Sequence, residues 1–337
     1  MKSSFSISHL IVWAVPVFLI LFFTACEETD YDLLDPDSAG VWELYNASNS
    51  GLPGNQVWDI DVDPQGSLWV SCYGDGLAKL SDKTWTKYNT SNSAILSNYV
   101  TAIETTSDGK VIVGTNNGLA ILNSSGVWSS YKDPLVTTME INSVRATSDG
   151  LLWVGTSNEG LYINEATVYA HSTSGFSVYA FEEDKAGNVW MGANTGLFLW
   201  NGTTWKNITA TSELPDGEVT SLFIDSRERV WIGVLNADKV YWYDKDGAHG
   251  LSLLTGGTGL EVWDICEDRN GDIWFATYGS GLIRYDGVVP HAYKKYNADY
   301  SEVFAEDKVN CIVKDKEGNM WFGLTTKGLV KYTLPIK

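Results

Sequence analysis

The sequence predicts an all-β fold, a seven-bladed β-propeller with four-stranded blades, from three observations. An aromatic-apolar-small triplet recurs seven times along 337 residues, at a spacing that averages 42, within the range of four-stranded propeller blades. Each triplet follows a tight turn and a strand of alternating polarity, a period of two that suits a sheet and not a helix. A solitary aromatic strand motif near the N-terminus matches the outer strand that the last repeat lacks.

The triplets are Trp69-Val70-Ser71, Ile112-Val113-Gly114, Trp153-Val154-Gly155, Trp190-Met191-Gly192, Trp231-Ile232-Gly233, Trp274-Phe275-Ala276 and Trp321-Phe322-Gly323, separated by 43, 41, 37, 41, 43 and 47 residues. Six residues ahead of each lies a turn: Asp63 to Gly66, Thr106 to Gly109, Thr147 to Gly150, Asp184 to Gly187, Asp225 to Glu228, Asp268 to Gly271 and Asp315 to Gly318. The leading Asp or Thr can bond its own downstream backbone, and Gly supplies positive φ, so each turn closes a hairpin. The strands before the turns are expected at Val57–Val62, Val100–Thr105, Ile141–Ala146, Val178–Glu183, Val219–Ile224, Val262–Glu267 and Val309–Lys314. After the triplets comes Gly-Leu, at Gly76, Gly118, Gly160, Gly196, Gly281 and Gly328, with Lys239-Val240 breaking the rule in the fifth repeat.

A fourth strand with aromatics three apart follows in some repeats: Trp85 and Tyr88, Trp128 and Tyr131, Tyr293 and Tyr296, and more weakly Trp205 and Ile208. The seventh repeat has none. The orphan Trp42-Glu43-Leu44-Tyr45 is therefore expected to pair with Leu329–Tyr332, so that residues 41–46 complete the last blade and close the ring. Closure removes the edges a linear stack would expose. The triplet tryptophans recur once per repeat and read as core packing, not as a cofactor box.

The formal net charge is −19; Lys2 is the only charged residue of segment 1–25, so the remainder carries 22 basic against 42 acidic groups, or −20. Such a chain repels phosphate backbones, and no nucleic-acid partner is expected. Four histidines and four cysteines are too few and too scattered for a zinc or disulfide framework.

At the N-terminus, Lys2 precedes an apolar run from Leu10 to Phe23, interrupted by Pro16 and followed by Thr24-Ala25-Cys26. The run is short for a membrane span and ends in small residues, as secretory signals do. Thr24-Ala25-Cys26 resembles the lipobox of bacterial lipoproteins, with Phe23 where Leu is usual; an uncleaved signal anchor is the alternative. The resemblance implies a signal peptide over 1–25, lipidation of Cys26, a polar tether over 26–40 and a propeller over 41–333. The acidic Glu27-Glu28-Thr29-Asp30 looks like surface-export signals of Bacteroidetes lipoproteins, which implies outer-membrane anchoring, facing the periplasm or the cell surface, with the lipid as sole membrane contact.

The unit Ser50-Gly-Leu-Pro-Gly-Asn-Gln-Val-Trp-Asp-Ile60, with Asp63-x-x-Gly66-x-Leu68-Trp69-Val70 and Gly76-Leu77, resembles the two-component regulator propeller repeat, over about 41–333. In that family such propellers form extracytoplasmic sensor domains of Bacteroidetes hybrid histidine kinases, often sensing glycan fragments, and related propellers occur in lyases. Too little follows Tyr332 for a membrane helix, kinase core or response regulator, so a sensor of this kind is expected to act through a partner.

Propeller ligands usually bind on the face made by the loops between second and third strands and those joining successive blades. The first set holds Tyr73 and Asp75, Asn116 and Asn117, Asn158 and Glu159, Asn194, Asn236 and Asp238, Tyr278 and Lys327. Amides beside aromatic rings suit sugar hydroxyls and apolar sugar faces, although Asn is also an ordinary turn former. On the inner strands, Trp58-Asp59 recurs as Trp263-Asp264 in register with Asn142 and Asn310; the indoles either stack on a ligand at the channel mouth or pack between strands. Asp59, Asp61 and Asp63 alternate on one strand, so a cation such as calcium is conceivable, but no cofactor or metal is expected, because Asp63 belongs to the turn. His171, His249 and His291 are too dispersed for base-and-orienter chemistry. Cys266 and Cys311 lie on adjacent inner strands, where a disulfide competes with plain buried thiols. The expected function is a non-catalytic, monomeric propeller binding a glycan or an envelope protein; an envelope polysaccharide lyase or hydrolase is one alternative, and a structural scaffold of an envelope complex another.

Overall fold

The computed structural model describes residues 40–131, 139–158, 160–163, 175–253, 260–288, 290–293 and 308–335. In chain order the strands are β1 (Val41–Tyr45); β2 (Val57–Val62), β3 (Leu68–Cys72), β4 (Gly76–Ser81) and β5 (Thr84–Tyr88); β6 (Val100–Thr105), β7 (Val111–Thr115), β8 (Gly118–Leu122) and β9 (Trp128–Ser130); β10 (Ile141–Ala146), β11 (Leu152–Thr156) and β12 (Leu161–Ile163). They continue with β13 (Val178–Glu183), β14 (Val189–Ala193), β15 (Gly196–Trp200) and β16 (Trp205–Asn207); β17 (Val219–Ile224), β18 (Val230–Val234), β19 (Val240–Asp244) and β20 (Gly247–Leu251); β21 (Val262–Glu267), β22 (Ile273–Thr277), β23 (Leu282–Tyr285) and β24 (Pro290–Tyr293); β25 (Val309–Lys314), β26 (Met320–Leu324) and β27 (Gly328–Thr333). Among the described residues one 3-10 turn, Thr209–Thr211, interrupts the β structure.

These strands correct the expected seven four-stranded blades. The propeller has six four-stranded antiparallel blades, and the third repeat contributes a sheet of three described strands, β10–β11–β12. That repeat has the shortest spacing to its successor, 37 residues, and no aromatic pair of the kind that marks a fourth strand. Residues 164–174 lie outside the described residues. The inner strands neighbour one another in the order β2, β6, β10, β13, β17, β21 and β25, and β25 returns to β2.

β1 pairs antiparallel with β27, with Trp42 opposite Tyr332 and Tyr45 opposite Leu329. Trp42 stacks on Tyr332 at 4.1 Å. The N-terminal strand thus supplies the outer edge of the blade built by the C-terminal strands. The outer strand of the sixth repeat occupies Pro290–Tyr293, earlier than the Tyr293 to Tyr296 expected, and Tyr296 lies outside the described residues.

The turn Asp has two tasks. Oδ1 of Asp63 accepts the N–H groups of Gln65 (3.0 Å) and Ser67 (2.8 Å), while Oδ2 accepts the indole N–H of Trp69 at 3.0 Å. The same indole bond joins Trp190 to Asp184 (3.3 Å), Trp231 to Asp225 (2.8 Å), Trp274 to Asp268 (2.9 Å) and Trp321 to Asp315 (2.9 Å). Two repeats carry Thr in place of Asp: beside Thr106 the wedge is Ile112, whereas beside Thr147 it is Trp153, whose Nε1 is buried without a partner among the described residues.

Each wedge packs into the next repeat. Trp69 joins the core of the second blade, Trp321 that of the first, and Ile112 sits among Ile141, Val144 and Leu152 of the third repeat. The small third residue of the triplet has a steric cause. A Cβ on Gly323 would lie 2.6 Å from Val57 Cγ1 and 2.3 Å from Cys311 Sγ, so Gly lets the first inner strand seat against the last blade.

Candidate functional site: the channel and its aromatic mouth

Every inner strand slips register against its neighbour near its first residues, as between Val57 and Ile60 of β2 or Val262 and Asp264 of β21. A bulge of this kind breaks the two-residue alternation. Val57 and Ile60 stay in the core, while Trp58, Asp59 and Asp61 are only part-buried. Trp58, Asp59 and Asp61, with the part-buried Trp263, Asp264, Glu104, Arg145 and Glu182 at the same register positions, consequently line the channel in tiers.

Below the mouth, carboxylates join adjacent inner strands. Asp59 accepts the N–H groups of Ile60 (2.8 Å) and, on the next blade, Ile103 (2.6 Å). Asp264 does the same with Ile265 (2.8 Å) and Ile312 (2.7 Å). Deeper down, Asp61 bridges Val62 and Thr105, and Glu104 accepts from Ala146 N at 3.1 Å. Arg145 lies between Glu182, 3.0 Å away, and Glu104, 3.9 Å away. Removal from bulk water disfavours the charged forms. It pushes Asp264 up to about 7 and Glu104 up to about 8, and raises Asp59, Asp61 and Glu182. These groups are strand-joining acceptors. Asp63 turns away to Trp69 and Lys79, so the three carboxylates do not share a face: Asp59 and Asp61 both reach the next inner strand, at Ile103 and Thr105, and the turn redirects Asp63.

At the mouth, five rings converge. Trp58 stacks on Tyr73 (4.9 Å, 29°), Trp263 on Tyr278 (5.1 Å, 16°), and the two indoles meet edge to face at 5.7 Å. Tyr99 meets Tyr73 edge-on at 4.9 Å and is 46% exposed. Lys308 Nζ lies 4.1 Å from the Tyr278 ring centroid and donates to its hydroxyl at 2.8 Å. Nε1 of Trp263 has no acceptor among the described residues. The pair Trp58 and Trp263 can meet because the intervening repeat places the smaller Asn310 at the same register. Part-buried rings around a cationic amine form a surface that covers apolar faces and pairs polar edges.

The other expected site residues divide. The amides of Asn142 and Asn310 donate to Val178 O (3.2 Å) and Val57 O (2.6 Å), and Thr101 and Thr220 bridge blades in the same way. Asn194 clamps its loop through Ser177 N and Gly175 O. Asn158 and Asn236 hold positive φ, 70° and 57°, the turn-forming role. Asp75, Asn117 and Lys327 are exposed on their loops, and Asn116 is part-buried with Oδ1 unpartnered among the described residues. Glu159, Cys26 and the 1–25 signal segment lie outside the described residues, as do His9 and His171. His249 sits on the outer strand β20, stacked on Trp242 at 5.0 Å. Cys72, Cys266 and Cys311 are buried free thiols, so the Cys266–Cys311 bridge does not form. Tyr99 and Lys308 were not anticipated, although both occupy the position just before an inner strand.

Residues 51–74, 256–279 and 304–326 match the family model described as two component regulator propeller. The chain carries two component regulator propeller repeats. The three matched segments contain Trp58, Tyr73, Trp263, Tyr278 and Lys308, all but one of the mouth residues. No curated protein matches the chain. Among solved structures, the extracellular domain of a protein named as the hybrid two component system BT3049 from B. thetaiotaomicron superposes with a TM-score of 0.71 at 19% identity, covering 87% of this chain and 41% of that one. This chain thus spans about two fifths of that neighbour's length. Virginiamycin B lyase from Staphylococcus aureus gives 0.67 at 14% identity, over 88% and 100% of the two chains, and YCF48 bound to D1 peptide gives 0.66 at 15%, over 90% and 99%. At these identities the likeness is one of fold.

Proposed function

We propose that this repeat protein is a non-catalytic binding propeller that takes a glycan at the aromatic mouth, and that residues 1–26 export it and anchor it by lipid at Cys26 to the outer membrane. The carrying observation is the convergence of Trp58, Tyr73, Trp263 and Tyr278 around the channel entrance, with centroids 4.9 to 5.7 Å apart and every ring part-buried. Ring faces suit the apolar face of a pyranose, and Lys308 and the Tyr hydroxyls supply hydrogen bonds to its hydroxyls. The carboxylates beneath are held in backbone bonds from two blades, which suits a supporting role better than proton transfer to a substrate. As a monomeric propeller, it would convey occupancy through an envelope partner.

A thermal-shift screen of the purified protein against neutral and acidic oligosaccharides tests this. The expected result is a saturable shift with at least one glycan, lost in Trp263→Ala, with no new product in the same sample. Product release, or a hit indifferent to Trp58, Tyr73 and Trp263 substitution, contradicts it, as does a protein partner occupying the mouth with no glycan response.

A further inference from the structure

A second site lies away from the mouth, where the ring departs from its own rule. Six of the seven triplets wedge an indole against the next repeat; the second repeat wedges Ile112. At this junction a cleft of about 790 Å³ opens, lined by Ile112, Ile121, Tyr131 and Leu152 on its apolar side and by Thr106 and Ser148 among its polar groups. The register is unambiguous, since Ile112 lies opposite Glu104 on β6 as Trp69 lies opposite Asp61 on β2.

The polar end changes in step with the wedge. Five repeats place an Asp there whose Oδ2 accepts an indole N–H at 2.8 to 3.3 Å. Here the position is Thr106, whose Oγ1 donates to Asp108, while Asp108 pairs with Lys110 at 2.7 Å. The cleft therefore sets the oxygen acceptors of the two turns beside the aliphatic side chains of Ile112, Ile121 and Leu152. Its carboxylates Asp108 and Glu183 outnumber its single cation, Lys110, which favours a ligand that donates hydrogen bonds over an anion.

We infer that the cleft between the second and third repeats binds a planar bicyclic aromatic ligand bearing an N–H donor, of the indole class, seated against Ile112 at the one junction whose triplet lacks a tryptophan. A ring laid on the aliphatic side of the cleft leaves its N–H free to donate to the oxygens of the turns. Such a ligand stabilises the native state by mass action.

The test uses indole itself, with tryptamine beside it, titrated into the purified protein and read by thermal shift and calorimetry. Indole at about ten times its dissociation constant should raise Tm by roughly 2–4 °C, saturably. In Ile112→Trp/Thr106→Asp, which rebuilds the pair of the other junctions, the Tm should be higher without ligand and indole should no longer shift it, whereas Trp58→Ala should respond as the wild type does. Absence of a saturable response in the wild type, or an unchanged response in the double variant, overturns the inference. Should that variant fail to fold, methyl chemical shifts decide in the wild type: indole-dependent shifts at Ile112 and Leu152 support the site, and shifts confined to groups around Trp58 and Trp263 refute it.

Discussion

Trp153 is the wedge tryptophan whose turn residue does not match it. Its ring is 1% exposed and packs against Phe181 and Trp205, yet its Nε1 is unpartnered among the described residues. A buried donor left unpaired costs about 1–3 kcal/mol. Replacing Thr147 with Asp supplies the acceptor found in five other repeats, but Thr147 Oγ1 now donates to Asp149 at 2.7 Å, and two carboxylates would face each other there. The sixth repeat has Asn270 at the position of Asp149, so the perturbation is Thr147→Asp with Asp149→Asn. Part of the regained bond is offset by desolvation of the new carboxylate, which leaves a net gain of about 1 kcal/mol and a Tm rise of roughly 1–2 °C. The reciprocal change, Asp225→Thr, strips Trp231 Nε1 (2.8 Å) and Arg229 Nε (2.6 Å) of their shared oxygen and should cost about 3 kcal/mol. Urea unfolding followed by far-ultraviolet circular dichroism, with differential scanning calorimetry, measures both. A double variant no more stable than wild type, beside an Asp225→Thr that loses less than about 0.5 kcal/mol, would refute the pairing of turn acid and indole as a determinant of stability.

Three further outcomes follow from the same geometry. Gly323→Val forces a side chain into the space of Val57 Cγ1, 2.6 Å from the Cβ position; it should destabilise the ring by about 1–3 kcal/mol or more and, in hydrogen exchange, release β1 and β2 first. The channel carboxylates carry raised pKa values, so the folded state holds protons that the unfolded chain has lost: their stabilising effect is complete below about pH 4 and declines as pH rises through about 7 for Asp264 and about 8 for Glu104. Unfolding free energy should thus be lower at pH 8.5 than at pH 5, and Asp264→Asn should flatten part of that slope while lowering stability at both; a flat or rising profile in the wild type contradicts the channel assignment. Asn310→Ala removes the 2.6 Å bond to Val57 O across the closure and should lower Tm by a few degrees, whereas Asn117→Ala, exposed on its loop, should leave Tm within error.

Much of the architecture was legible because its signals are local and repeated. All seven inner strands occupy the residues that alternation and the turn motif assign them, and Trp42 to Tyr45 meets the last blade in the expected place. The third repeat shows three described strands; its triplet and turn are present in the sequence, but no aromatic pair there marks a fourth. The bulges were invisible: a period-two pattern reports which residues alternate, not where a strand takes an extra residue. Asp63 shares the alternation of Asp59 and Asp61 yet is spent on its turn and on Trp69, and the channel group of Asp61, Glu104, Arg145 and Glu182 went unseen although it occupies one register position in four successive repeats. The asparagines illustrate the opposite failure. Their chemistry suits a sugar, but Asn142, Asn194 and Asn310 spend it on backbone carbonyls and N–H groups, a use no composition reveals. Trp58 and Trp263 were brought together as a pair by repeat register alone.

The claim that the aromatic mouth is the working part rests on those two indoles acting together. Calorimetric titration of the strongest glycan from the screen into wild type, Trp58→Ala, Trp263→Ala and the double variant tests it most directly. The account predicts about a tenfold loss of affinity for each single change, a smaller further loss in the double variant because the rings share one ligand, and unchanged affinity in the distant control Trp242→Ala. Equal affinity across all of these proteins would contradict it.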